Sequence, residues 1–151
     1  MIKILEAKIE DCNEIEKVAK KSPPLRASIS GTYEYFVLCF SKYFLKAFDN
    51  ENTKIAGFIV GFPNIFGQSE FWVYQIAVLE EFRKKGIATQ LYLELINRAH
   101  KIGNYKNIYT EILLDNIPSK NLHKKLGFIK LEKNIFREAD TEWELWYKKI
   151  E

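Results

Sequence analysis

Residues 71–79, with the sequence FWVYQIAVL, constrain the fold of this chain more than any other segment. The run is apolar or aromatic at nearly every position. A strand with one face in water alternates apolar and polar side chains, whereas a strand covered on both faces is apolar along its length. The run therefore predicts a central strand that is buried on both faces of a sheet.

The segment after this strand predicts a long amphipathic helix over residues 86–102. Ile87, Leu91, Leu95 and Ala99 form one apolar stripe at helical spacing, and Gly103 is placed to end the helix. Shorter patterns predict strands over 2–7, 44–48, 54–62, 106–114, 128–131 and 143–149, and helices over 10–20, 32–44 and 117–126. The predicted order is β-α-α-β-β-β-α-β-α-β-β.

The length of 151 residues predicts a single domain spanning 1–151. With 47% hydrophobic and 28% charged residues, the composition is that of a globular chain. A net charge of +3 is too small to indicate nucleic-acid binding, and no His, Cys and carboxylate cluster indicates a metal site. Cys12 and Cys39 lack a metal-binding spacing, and we expect two buried free thiols.

The amino-terminal sequence MIKILEAKIED carries charges within its apolar stretch, which is not typical of a signal peptide. No apolar run approaches the roughly 20 residues that a membrane-spanning helix needs. We therefore expect a cytoplasmic protein with no membrane partner. The sequence leaves open whether the chain forms a homodimer.

A basic turn connects the central strand to the long helix: Arg83-Lys84-Lys85 leads into Gly86-Ile87-Ala88-Thr89. The first amides of a helix have no partner within it and, together with the helix dipole, attract anions. Gly86 lets a ligand approach the backbone, and the basic side chains neutralise phosphates. The turn predicts a phosphate-binding site, although a solvated basic surface is the alternative. It matches neither a Walker motif nor the GxGxxG turn.

The motifs around this turn resemble the GNAT superfamily of N-acetyltransferases. Arg83-x-x-Gly86-x-Ala88 is similar to the signature (Arg/Gln)-x-x-Gly-x-(Gly/Ala), and Gln75-Ile76-Ala77-Val78 resembles the superfamily's fourth strand. Residues 115–128 resemble its Asn-x-x-Ala-x-x-(Leu/Phe)-Tyr-x-x-x-Gly-Phe block. Two spaced motifs in the right order are more specific than either motif alone.

This resemblance implies a single α/β (α+β) domain with a central mixed, mostly antiparallel twisted sheet of about six to seven strands, flanked by helices. It also implies acetyl-CoA as the co-substrate. The fourth strand would pair with the pantetheine arm, the turn would hold the pyrophosphate, and Asn116 would contact the cofactor arm. The implied cofactor-binding residues are Ile76, Ala77, Val78, Arg83, Lys84, Lys85, Gly86, Ile87, Ala88, Thr89, Asn116 and Ser119.

One position of the last motif departs from the superfamily's pattern. The superfamily usually has a Tyr that protonates the departing thiolate, and this chain has His123 there. Because a histidine can donate a proton near neutral pH, His123 is the candidate for the catalytic acid. A surface position on the helix, between Asn121 and Lys124, is the alternative interpretation.

A general base is needed as well, because an ammonium group with a pKa of about 10 must lose a proton before its nitrogen can attack. Glu111 lies five residues before Asn116, a spacing that resembles the base of the ribosomal-protein alanine acetyltransferases. A solvent-facing strand residue is the alternative. Tyr74 and Gln75 are further polar groups that we expect to line the cleft.

The early part of the chain resembles the diaminobutyrate acetyltransferases of the ectoine pathway. The residues that carry this likeness are Ser22-Pro23-Pro24-Leu25, Thr32-Tyr33-x-Tyr35, Cys39 and residues 57–62. In this resemblance Tyr33 corresponds to an acceptor-binding Tyr. Arg26 replaces an acidic residue, and a cation there would repel a diamine but hold a carboxylate. We therefore expect a small-molecule amine acceptor, such as an amino acid, bound by Arg26, Tyr33, Tyr74 and Gln75.

Two other functions stay open. A protein or peptide N-terminal acetyltransferase would need an open acceptor groove lined by acidic groups, whereas a cleft closed by residues 22–36 would favour a small metabolite. A non-catalytic acyl-CoA-binding regulator with the same fold would need no acid at position 123.

Overall fold

The computed structural model describes residues 1–67, 69–138 and 141–150, and its elements follow the predicted order. The strands are β1 (Ile2–Glu6), β2 (Phe44–Asp49), β3 (Lys54–Pro63), β4 (Glu70–Val78), β5 (Asn107–Leu113), β6 (Ile129–Lys130) and β7 (Trp143–Lys149). The helices are α1 (Cys12–Lys20), α2 (Thr32–Phe40), α3 (Ile87–Gly103) and α4 (Ile117–Lys125).

The strands form one seven-stranded sheet in the order β1-β2-β3-β4-β5-β7-β6. Neighbouring strands are antiparallel except for β4 and β5, which are parallel. A parallel pair needs a crossover connection, and α3 provides it. The predicted fold class, a mixed and mostly antiparallel sheet flanked by helices, is confirmed.

Helices cover both faces of this sheet. On one face, Tyr33 of α2 packs against Phe44 of β2, with ring centroids 6.2 Å apart. On the other face, Arg98 of α3 forms an ion pair with Glu6 of β1, with a nitrogen–oxygen distance of 2.7 Å. Glu6 pairs with Leu45 of β2, so the side chains of these two residues point to the same face of the sheet. Leu45 and its neighbour Phe44 point to opposite faces, so α3 and α2 lie on opposite sides of the sheet. This two-sided cover explains why the central strand β4 is apolar along its length.

The helix α3 supplies much of the core and ends differently from the prediction. Its buried residues are Ile87, Leu91, Tyr92, Leu95 and Ala99, which include the whole predicted stripe. Gly103 is still helical, and the left-handed residue that ends the helix is Asn104, with φ of 53°. Asparagine tolerates this conformation better than most residues with a side chain, so it serves where a glycine was expected.

The aromatic segment 32–44 forms a helix, a 3-10 turn and the first residue of a strand rather than one helix. α2 ends at Phe40, a short 3-10 turn follows at Ser41–Tyr43, and Phe44 begins β2.

Cys12 is buried and Cys39 is exposed, and both are free, so the expectation of two buried thiols is wrong for Cys39. Of the helices in the described ranges, none is long and apolar enough to cross a membrane.

Candidate functional site

The neighbouring strands β4 and β5 separate after a short paired stretch. Within the described ranges, their parallel pairing joins only residues 70–72 to residues 107–109, although β4 continues to Val78 and β5 to Leu113. On its other edge, β4 stays paired with β3 as far as Val78. The edge of β4 over residues 73–78 therefore borders a cleft, and its backbone can pair with a ligand that adds like a strand.

A β-bulge in the pairing of β3 with β4 lies beside the part of β4 that borders the cleft. Val60 of β3 pairs with Gln75, and the next residue, Gly61, pairs with Val73, so Tyr74 is the extra residue. A bulge bends its strand and re-aims the neighbouring groups, and bulges are frequent beside functional sites. Ala77 and Val78 lie in the part of β4 that borders the cleft, and both are buried. These predicted cofactor-binding residues can therefore offer a ligand mainly their backbone groups.

The turn between β4 and α3 presents unpaired backbone amides. Gly86 precedes the helix with φ of 77°, a conformation that costs glycine little. The first hydrogen bond of α3 runs from the Gln90 amide to the Gly86 carbonyl, at 3.0 Å, so the earlier amides have no partner within the helix. A Cβ added at Gly86 would meet no atom within 4 Å. The turn is open and electropositive, which suits a phosphate group.

The side chains of this turn divide between the surface and the core. Arg83, Lys84 and Lys85 are exposed, whereas Ile87 is buried and can offer a ligand only its amide. The Nε atom of Arg83 donates to the carbonyl of Val78 at 2.9 Å. This bond ties the basic turn to the end of β4, so the cations lie beside the end of the unpaired edge.

The first turn of α4 is held by Asn116 and Ser119. Asn116 is the N-cap residue, and its Oδ1 accepts from the Ser119 amide at 3.2 Å. The Ser119 hydroxyl lies 3.3 Å from Nδ1 of His123, one turn further along. Both residues therefore position α4, and their contact with a cofactor stays a prediction.

His123 is a core residue with both ring nitrogens bonded. It is 1% exposed, so the alternative of a surface position is wrong. Its Nδ1 lies 2.7 Å from the Ser119 carbonyl, which can only accept, so Nδ1 carries the proton. Nε2 then accepts from the Tyr92 hydroxyl at 2.5 Å.

Burial favours this neutral form of the ring. It lowers the pKa of His123, against a smaller raising effect of the Ser119 carbonyl, and it raises the pKa of Tyr92. A neutral His123 that donates from Nδ1 has no proton on Nε2. Its role as the catalytic acid stays a prediction, and that role would require a proton on Nε2.

Glu111 of β5 is held in an ion pair. Arg137 donates to it from Nε and Nη2, at 2.5 and 2.9 Å, and Asn134 donates from Nδ2 at 2.7 Å. The Glu111 side chain is 21% exposed, so it is not the freely solvated strand residue of the alternative interpretation. Before it can accept a proton from a ligand, Glu111 must give up at least one of these hydrogen bonds.

The four predicted acceptor-binding residues lie together. Tyr33 donates to Oε1 of Gln75 at 2.8 Å, and Nε2 of Gln75 donates to the Arg26 carbonyl at 3.0 Å. Burial raises the pKa of Tyr33, so its hydroxyl keeps the proton that it donates. Tyr74 shares a hydrogen bond of 2.8 Å with Ser28. Residues 25–31 are thereby tied to β4, while the Arg26 side chain is exposed and only its backbone contacts Gln75.

Four further residues at this site were not identified from the sequence: Ser28, Tyr92, Asn134 and Arg137. Tyr92 adjoins the apolar stripe of α3, a position typical of core. Asn134 and Arg137 lie 23 and 26 residues after Glu111, and no local pattern links residues at such separations. The only available signal was that the polar loop before β7 contains an arginine.

The cleft, the turn and α4 all fall within one recognised family. The family model described as "Acetyltransferase (GNAT) family" matches residues 9–128. The chain belongs to this family. GNAT acetyltransferases transfer an acetyl group from acetyl-CoA to an amine, so the predicted enzyme class, an N-acetyltransferase, is confirmed.

Named relatives of this GNAT chain differ in their acceptors. An N-alpha-acetyltransferase of Saccharolobus solfataricus is 32% identical over 139 residues, which are 83% of this chain and 79% of that protein. An L-2,4-diaminobutyric acid acetyltransferase of Vibrio parahaemolyticus is 32% identical over 123 residues, which are 80% of this chain and 65% of that protein.

A solved structure shares the GNAT fold. The diaminobutyrate acetyltransferase EctA of Paenibacillus lautus, in complex with L-2,4-diaminobutyric acid and coenzyme A, superposes with a TM-score of 0.75. It is 18% identical, and the match covers 97% of this chain and 93% of that one. At this identity the likeness concerns the fold.

Proposed function

We propose that this GNAT acetyltransferase acetylates the primary amine of a small acceptor, such as an amino acid. The observation that carries the proposal is the hydrogen-bonded contact between residues 25–31 and β4, made through Tyr74 and Gln75. A groove for a protein N-terminus must stay open to an extended chain. A segment tied onto β4 beside the cleft instead favours a small molecule.

The donor side of the cleft, which we define as the β4 edge over residues 73–78 and the turn over residues 83–89, fits acetyl-CoA. Acetyl-CoA supplies the acetyl group as an activated thioester. The amides after Gly86 would receive its pyrophosphate, and Arg83, Lys84 and Lys85 would neutralise the charge. The unpaired edge of β4 would pair with its amide-containing arm.

On the acceptor side, which we define as residues 25–31, Glu111, residues 134–137 and the side chains of Tyr33 and Gln75, the amine must first lose a proton. Glu111 is the proposed base. The free amine nitrogen then forms a bond to the acetyl carbon as the carbon–sulfur bond breaks. The nitrogen loses its second proton to solvent water, and the departing thiolate takes up one proton to become the thiol. His123 is the proposed source of that proton, once Nε2 is protonated.

The experiment that tests the proposal measures thiol release from acetyl-CoA with amino acids, diamines, polyamines and N-terminal peptides as acceptors. We expect turnover with small amines and little turnover with peptides. Turnover with peptides alone would contradict the small-acceptor assignment.

A peptide N-terminus is the second candidate acceptor, because the relative from Saccharolobus solfataricus is named an N-alpha-acetyltransferase. The same panel distinguishes it directly. A non-catalytic regulator, the third candidate, would bind acetyl-CoA tightly and release no thiol with any acceptor. This third candidate should be tested because the chain has His123 where the superfamily usually has a catalytic Tyr.

A further inference from the structure

The pair formed by Glu111 and Arg137 places opposite charges side by side on the acceptor side. The two guanidinium nitrogens Nε and Nη2 contact the two carboxylate oxygens of Glu111, which is the bidentate arrangement that binds carboxylates well. The Arg137 side chain is 43% exposed and that of Glu111 is 21% exposed. A ligand that enters from solvent can therefore reach both charges.

Aromatic contacts fix the position of this pair. Phe136, the residue before Arg137, packs edge-on against Trp72 of β4, with centroids 4.7 Å apart. Trp72 in turn stacks on Tyr109 of β5 at 5.1 Å, and Tyr109 lies on the same face of β5 as Glu111. The segment that carries Arg137 is thus anchored where β4 and β5 begin to separate.

One further contact holds the Arg137 side chain, and another holds the segment that carries it. Its guanidinium lies over the Trp143 ring, 5.2 Å from the centroid, and Asn134 donates to the Trp143 carbonyl at 3.2 Å. An arginine stacked on an aromatic ring keeps its orientation when its carboxylate partner changes. Arg137 is therefore ready to receive a second carboxylate.

The charges of the pair select among acceptors. An acceptor with only an ammonium group would have to displace Arg137 from Glu111 and would leave that cation without a partner. A zwitterion exchanges both partners at once, because its ammonium takes Glu111 and its carboxylate takes Arg137. The net charge of the cluster does not change in that exchange, and every charge stays paired.

We propose that Arg137 is the carboxylate-binding residue of the acceptor site, and that the acceptor is a zwitterion with its carboxylate close to the reacting ammonium, as in a free α-amino acid. This inference rests on the proposed function and narrows it. The proton given up by the ammonium goes to Glu111, which Arg137 releases when the acceptor carboxylate arrives. Arg137 is thus a specificity residue that also frees the base.

The test compares each amino acid with its own carboxamide, which keeps the amine and loses the carboxylate. We expect the wild type to prefer the acid by about ten- to hundredfold in kcat/KM, the range that a charged hydrogen bond contributes. Arg137→Gln should remove most of that preference by slowing the acid more than the amide. Arg137→Lys should keep part of it, because the charge remains and the fork is lost.

Two matched variants separate the roles. Arg26→Gln, at the other arginine expected to hold a carboxylate, should leave the acid-to-amide ratio unchanged. Glu111→Gln should slow both acid and amide, because it removes the base, and should keep a preference for the acid, because Arg137 remains. A loss of stability in Arg137→Gln would slow both substrates and would not move the ratio.

Several outcomes would overturn the inference. Equal rates for acid and amide in the wild type, with small amines still acetylated, would remove only the role of Arg137. A ratio that collapses in Arg26→Gln and not in Arg137→Gln would assign the carboxylate to Arg26. Turnover with N-terminal peptides and with neither member of any pair would overturn this inference and the small-acceptor function together.

Discussion

The donor side and the acceptor side of the cleft are built from different kinds of contact. The donor side consists of backbone groups: the unpaired edge of β4 and the amides that follow Gly86. The acceptor side consists of side-chain pairs between distant residues, namely Tyr33 with Gln75 and Arg137 with Glu111. The first arrangement depends little on which side chains are present, whereas the second depends on each of them.

This difference explains how a family can keep one co-substrate and change its acceptor. Backbone amides at a helix start bind phosphate in any sequence that can form the turn. A side-chain pair such as Glu111 and Arg137 is lost when either residue is substituted. Relatives of this chain carry different names, N-alpha-acetyltransferase and L-2,4-diaminobutyric acid acetyltransferase. Substitutions on the two sides should therefore affect different binding constants.

The largest effect is expected on the donor side, from Gly86→Asp. It places a carboxylate where phosphates are expected and a side chain at φ of 77°. We expect acetyl-CoA affinity, measured by calorimetry, to fall on the order of a hundredfold or more. Gly86→Asn is the matched control, since asparagine has the same shape, tolerates this conformation and carries no charge. Unchanged affinity in Gly86→Asp would refute the assignment of the turn.

The next effect is expected on the acceptor side, from Glu111→Gln. Loss of the base should lower kcat by about a hundredfold near neutral pH, with partial recovery at alkaline pH as the acceptor loses its own proton. Acetyl-CoA affinity should stay the same. Glu132→Gln, at an exposed glutamate, is the control. A wild-type pH–rate profile in Glu111→Gln would mean that another group or water takes the proton.

A smaller effect is expected from Tyr33→Phe, which loosens the contact between residues 25–31 and β4 and leaves the bonds through Tyr74 and Gln75 in place. The change removes the bond to Gln75 and the bond accepted from the Ser28 amide. We expect the acceptor KM to rise by about three- to tenfold, with acetyl-CoA affinity unchanged. Tyr35→Phe, at a tyrosine that is 70% exposed on the same helix, should have no effect. Equal shifts for donor and acceptor would erase the distinction between the two sides.

The smallest effect is expected on the pH dependence of stability, through His123, a buried residue that belongs to neither side of the cleft. Because burial lowers the pKa of His123, the unfolded chain binds its proton more tightly than the folded chain does. The resulting stabilisation is complete above the unfolded pKa of about 6.5 and is lost as pH falls below it. His123 contributes at most about 1.4 kcal/mol per pH unit to the change of the unfolding free energy with pH.

The control for this pH effect is His123→Ala. Denaturant unfolding between pH 5 and pH 8 should show a shallower slope in the variant, whatever its overall loss of stability. Thiol release by the same variant tests catalysis, since loss of an acid should lower turnover more than acetyl-CoA affinity. An identical pH slope in both proteins would mean that His123 titrates normally when folded.

Local patterns were sufficient for much of the fold. The apolar run at 71–79 and the stripe of α3 predicted a covered central strand and its helix, and both are present. These patterns have short periods, so a few residues define them. Errors arose where two neighbouring segments are both apolar, as at residues 32–44. Composition there does not distinguish the end of α2 from the start of β2.

The candidate site residues also differ in how much of their environment could be predicted from neighbouring residues in the sequence. The turn from Arg83 to Thr89 is contiguous, so its backbone chemistry could be predicted from adjacent residues. The surroundings of His123 could not, because Tyr92 is 31 residues away and the decisive fact is burial. A histidine on a short helix has the same local sequence whether it faces solvent or the core.

The sequence alone determined the family, the order of the elements and the donor side, because each depends on short-range periodicity or on a contiguous motif. Only the tertiary structure decided that β4 and β5 separate, that His123 is a neutral core residue, and that Glu111 is paired with Arg137. Those features depend on contacts between residues far apart in the chain. Such contacts exist only after the sheet has brought the strands together.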